Sequence, residues 1–208
     1  AGIVLVSYIF RKQIFGAFSS SSAFKNKVVK LANQELSRWQ DGGIKEGDTR
    51  TINALRSYWA AVGWQNRSDY AKINEAWSAA FISYLMKKAG AGSDFKYSAS
   101  HSKYIVDSIK NRKKNSGSFQ GFKPSEIKVG VGDLIGRPRQ GSVTYDTTGS
   151  YKSHTDLVVS IKNDTVKMIG GNVGNSVKAT YVKLGKNGKI SPTEINKRNY
   201  HVVIKNLK

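Results

Sequence analysis

The sequence contains no cysteine. That absence excludes disulfides, thiolate zinc sites and a thiol nucleophile, although it leaves the compartment open. Acidic residues are scarce as well. Fourteen Asp and Glu stand against 34 Lys and Arg, a formal net charge of +20. Such a field attracts polyanions (nucleic acid, teichoic acid, anionic lipid, peptidoglycan carboxylates) without choosing among them. The tightest basic cluster, Lys110 to Lys114, reads better as a solvated helix end than as a reader of nucleic acid. No nucleic-acid motif accompanies the charge, so nucleic acid is disfavoured as a partner. Long apolar runs are also missing. Residues 1–10 are apolar but end at Arg11 and Lys12, short of the ~20 residues that span a bilayer. The basic residues follow this run instead of preceding it, which argues against a signal peptide. Three readings fit the arm: an added strand, an interfacial segment, or the trace of a removed leader.

What is present describes one ordinary domain. The 208 residues are 39% hydrophobic, enough for a real core. Ser19 to Ser22 reads as a linker, so residues 1–22 form an apolar arm with its linker and 23–208 the main domain. Helical spacing of apolar residues predicts helices over 23–39, 50–62, 74–89 and 102–113. Short runs rich in branched residues then predict strands over 129–135, 156–161, 165–169, 176–184 and 200–204. Asn163-Asp164 is a tight-turn signal between two of them. Helices followed by a strand meander predict an α+β domain in which N-terminal helices pack on an antiparallel sheet. There is no internal repeat.

The chemistry-bearing candidates are few. Ser78 falls in the first turn of the third predicted helix, where free N–H groups and the positive dipole end stabilise developing negative charge. A serine hydroxyl is a weak nucleophile and needs a neighbouring base. Three histidines are available: His101, His154 and His201. His154 opens a predicted strand, a rigid position from which an imidazole can face a helix end. A base also needs an orienting partner. Asn172, in Gly170-Gly171-Asn172, lies on the partner strand. A two-residue turn at 163–164 pairs Ile161 with Val166 and Val159 with Met168. Extended, that register sets Asn172 opposite Thr155, one residue out of phase with His154. A bulge at Gly170-Gly171 would correct the phase. Asp156 is the reserve orienter, on the His154 face but roughly 7 Å along the strand. Each of these residues taken alone is more often a cap, a turn or a structural residue. The histidines are far apart in sequence and have no ligand-like carboxylate spacing, so no metal is expected, nor any cofactor.

The order of the pieces adds more. Ala76-Trp77-Ser78-Ala79-Ala80-Phe81, then Gly132-Asp133, then Ser153-His154-Thr155-Asp156, then Gly170-Gly171-Asn172 resembles the papain-like superfamily of NlpC-type and CHAP-type cell-wall hydrolases. Within it, the chain looks like an uncharacterised bacterial and phage family with Trp-Ser-Ala-Ala-Phe-Ile-Ser at the nucleophile helix. The resemblance covers roughly residues 24 to 190 and implies a papain-like fold. It places Ser78 at the nucleophile position, where the wider superfamily has cysteine. It makes His154 the base and Asn172 the group that orients it, and it gives Gly132-Asp133 a structural turn. His101 matches the narrower family alone, and with Trp77 and Asp156 it is an auxiliary or substrate-binding candidate.

The resemblance implies a peptidoglycan-directed amidase or endopeptidase with a Ser-His-Asn arrangement. The alternative is a non-catalytic binding or virion-structural module that keeps the frame. A third outcome moves the chemistry to other residues, His101 among them. The implied partner is peptidoglycan or another anionic envelope polymer; the apolar residues 1–18 are a candidate docking arm for a virion, a membrane or a second copy. The implied location is extracellular, periplasmic or virion-associated.

Overall fold

The computed structural model describes residues 22–66 and 68–208; the apolar arm and its docking role lie outside the described residues. Helix α1 covers 22–38. Its stripe of Phe24, Val28, Ala32 and Leu36 is buried, as the helical period requires. Helices α2 (Ile52–Ala61) and α3 (Asp69–Asn74) follow, then α4 (Ser78–Ala89) and α5 (His101–Lys113). Six strands come next among the described residues: β1 (Phe119–Phe122), β2 (Leu134–Pro138), β3 (Ser153–Lys162), β4 (Thr165–Gly170), β5 (Lys178–Lys183) and β6 (Val202–Asn206). Helix α6 (Pro192–Arg198) sits between the last two. The architecture is α+β with one antiparallel sheet.

The strand order is β1-β6-β2-β3-β4-β5. The expected meander therefore holds for β2 to β5, while β6 returns to lie between β1 and β2. Both faces of the sheet are covered. Leu134, Leu157, Ile169 and Val202 belong to the core shared with the helices, whereas Ile135, Val158, Met168 and Val203 form a second core on the other face.

The elements differ from the sequence reading in several places. Helix α4, expected from residue 74, starts at Ser78, because residues 75–77 leave the helical path. Trp77 is fully buried there, stacked on Trp39 and Tyr58, and its indole N–H donates to Glu46. A buried indole packed on two aromatic rings and hydrogen-bonded at its N–H holds the chain in a turn that helix propensity alone would have smoothed. The strand expected at 129–135 begins at Leu134. Its first residues form a turn in which the Asp133 carboxylate accepts from the N–H groups of Gly130 and Asn206. Short elements were missed: β1, α3 and α6, of four, six and seven residues, carry too little periodic signal to announce themselves.

The hairpin register decides the site. Ile161 pairs with Val166 and Lys162 with Thr165, as the turn predicts. The ladder then slips, and Met168 pairs with Val158 instead of Val159. The bulge lies at Val159 in β3, not at Gly170-Gly171. An extra residue on one strand inverts which side chains face which layer beyond it. N-terminal to the bulge, Leu157 and Thr155 face the helices, and Val158, Asp156 and His154 take the opposite face.

Candidate functional site

Ser78 is the first residue of α4, and the first backbone bond of that helix runs from the Phe81 N–H to the Trp77 carbonyl. The N–H groups of Ser78, Ala79 and Ala80 precede it and have no acceptor within the helix. Helix α4 lies close against the sheet because Gly171 has no side chain. A Cβ there would stand 2.6 Å from the Phe81 side chain.

The Ser78 hydroxyl lies 2.6 Å from His101 Nε2. His101 is the first residue of α5. Its Nδ1 contacts the Tyr104 hydroxyl, one helical turn along, and the Thr155 hydroxyl at 3.0 Å. Tyr104 and Thr155 are themselves 2.8 Å apart. Thr155 can meet His101 because the bulge has turned it toward the helices. Either hydroxyl can accept the Nδ1 proton, which leaves the Nε2 lone pair facing Ser78. Burial, then proximity to His154 and Arg139, pushes the His101 imidazole well below its usual pKa. Near neutral pH it is an unprotonated imidazole, the form a general base requires.

His154 belongs to a second constellation. It is fully buried, with its ring 5.3 Å from that of His101. Its Nε2 lies 2.9 Å from Asp156 Oδ1, and its Nδ1 lies 3.2 Å from Arg139 Nη2. Arginine only donates, so Nδ1 is the acceptor and the Nε2–H points to Asp156. The roughly 7 Å spacing of i and i+2 positions is closed because ring and carboxylate lean toward each other over Gly170. A Cβ on Gly170 would fall 1.8 Å from Asp156 Oδ1 and 3.1 Å from His154 Nε2. Burial pushes the Asp156 carboxyl up, but His154, Arg137 and Arg139 outweigh it and hold it below the usual range. Each glycine of the Gly-Gly pair thus makes room for something specific: the His154–Asp156 pair on one face, helix α4 on the other.

A groove of about 710 Å³ runs over these residues, lined among others by Ser78, His101, Arg139, Tyr151, Lys152 and Asn172. No carboxylate lines it among the described residues. Asn172 lies beyond the end of β4 in a left-handed conformation (φ 55°). It therefore shares the groove with Ser78, while His154 takes Asp156 as its partner. Trp77 lies in the core. His201 sits apart, bonded to Tyr151 and the Gly136 carbonyl, and burial lowers its pKa to about 4. The described residues contain no group of three His, Cys, Asp or Glu suited to a metal. The His101–Tyr104–Thr155 set escaped sequence reasoning in part. Tyr104 follows His101 by three residues and was open to a helical-spacing argument; Thr155 depended on the bulge.

Residues 13–205 match the family described as uncharacterized proteins conserved in bacteria (DUF2272). No curated protein matches the chain. Among solved structures, that of Ly7917 is similar over 76% of this chain and 63% of its own, with 17% identity and a TM-score of 0.38. The structure of Ly7917 with the hydrolyzing product of MDP gives 16% identity, 75% and 63% coverage, and a TM-score of 0.35. This chain thus spans less than two thirds of that protein's length.

Proposed function

The chain belongs to the DUF2272 family of uncharacterized bacterial proteins, and we propose that it is a serine amide hydrolase directed at peptidoglycan, built on a papain-like frame. The observation that carries this reading is the 2.6 Å contact between the Ser78 hydroxyl and His101 Nε2 at a helix start that opens on a groove. Ser78 attacks the carbonyl carbon of a stem or cross-bridge amide while His101 Nε2 takes the hydroxyl proton. The oxyanion faces the first-turn N–H groups of α4. The His101 Nε2–H then protonates the leaving amine, and the C–N bond breaks. Water hydrolyses the resulting ester, again with His101 as base.

This proposal keeps Ser78 as nucleophile and moves the base from His154 to His101. A base must reach the proton it takes, and His101 is the histidine bonded to Ser78. The motif order and the +20 charge support an anionic envelope polymer as substrate, and with it a site of action outside the cytoplasm is part of the proposal.

Zymography on purified peptidoglycan tests the assignment. Ser78→Ala and His101→Gln should each lose clearing, by about 10²-fold or more for the base, while His154→Gln retains part of it. Clearing by Ser78→Ala equal to the parent's would end the serine mechanism. Absence of clearing by the parent would favour a binding module instead.

A further inference from the structure

The buried His154–Asp156 pair takes no part in the reaction proposed above. It does, however, end on a groove residue. Arg139 follows the last residue of β2 and is exposed at the groove's rim. Its Nη2 donates to His154 Nδ1 at 3.2 Å, and the His154 Nε2–H donates to Asp156 at 2.9 Å. The chain of donors runs in one direction, from guanidinium through imidazole to carboxylate. The buried negative charge polarises the ring and strengthens Nδ1 as an acceptor. A free arginine side chain is mobile and costs entropy to immobilise; this one is already held at one nitrogen. A guanidinium carries five N–H groups in a planar fork, so the rest can serve a ligand. Lys152 lines the same groove, and no acidic side chain does so among the described residues.

We propose that Arg139, positioned by His154 and Asp156, reads a carboxylate next to the scissile amide, so that the substrate is an acidic peptide with that carboxyl group free. The inference rests on the groove being the substrate site. The location fits: the Arg139 contact lies one imidazole beyond His101, whose ring is 5.3 Å from that of His154. A planar fork matches a carboxylate in a two-point contact that a diffuse basic surface does not offer. His154 is on this account a positioning residue for binding.

The test uses two synthetic muramyl peptides that differ only in whether the carboxyl group beside the scissile amide is free or amidated. Binding is measured by calorimetry on Ser78→Ala, so that no cleavage interferes, and hydrolysis is followed on the parent protein. Ser78→Ala should bind the free acid about 10-fold more tightly than the amide. Adding Arg139→Gln should bring the two affinities within about twofold. Adding His154→Gln should shrink the ratio in the same direction, since Arg139 loses its anchor. Lys113→Gln, which removes equal charge from an exposed helix end, should leave the ratio intact. Equal binding of both peptides by Ser78→Ala overturns the proposal, as does a ratio that collapses equally in the Lys113 variant. Preference for the acid without hydrolysis by the parent would leave this inference standing and remove the proposed activity. Hydrolysis of both peptides at equal kcat/KM would do the reverse.

Discussion

His101 is held by two hydroxyls instead of a carboxylate. A carboxylate stabilises the imidazolium formed during proton transfer; a hydroxyl fixes the tautomer but offers only a dipole. The buried carboxylate of Asp156 is paired with His154. His101 is therefore a weak base kept unprotonated by burial, and the pH profile should show it. In the proposed reaction the unprotonated ring is the active form, so kcat/KM should rise with pH through the His101 value. That value lies well below the usual 6.5. The rate should stay flat as pH falls through 6.5 and drop only at lower pH; an acid limb centred at 6.5 or above would contradict the burial of His101. Ser78, His154 and Gly170-Gly171-Asn172 were all legible as candidates. What the sequence could not say is which histidine the serine meets, because that depends on distances across three separate elements.

At the scale of elements, the site is assembled by two helix starts and one bulged strand. α4 delivers Ser78, α5 delivers His101, and β3 presents Thr155 to the helices and His154 to the other side. The separation of α4 from β4 is set at Gly171, where a Cβ would lie 2.6 Å from Phe81. Gly171→Ala should therefore cost about 1–3 kcal/mol in urea denaturation, and it should lower turnover by displacing Ser78 from His101. Gly141→Ala is the matched control, since a Cβ there meets nothing within 4 Å. Equal stability of the two variants would mean that α4 gives way without strain. The four longer helices and most strands were legible because their apolar periods are regular. The bulge was not, because the pairs Val159–Met168 and Val158–Met168 are equally apolar, and only packing against two layers at once separates them.

For the whole molecule, the +20 charge governs encounter more than chemistry. A cationic protein on an anionic wall binds through screened, long-range attraction, with a Debye length of about 10 Å at 0.1 M salt. Retention on purified cell walls in a sedimentation assay should fall steeply between low salt and about 0.5 M sodium chloride. Ser78→Ala should follow the same curve as the parent, since it keeps every charge. Retention that ignores salt would point to recognition through the groove alone.

Composition, helical periods and turn signals were enough to determine an α+β domain, a basic surface and a serine at a helix start, because these follow from local preference and total charge. The tertiary structure decided the partnerships. One extra residue at Val159 rotated β3, brought Thr155 under His101, and left His154 to join Asp156 and Arg139. A strand's phase is set by what covers its two faces, and that is a property of the packed molecule, absent from any stretch of its sequence.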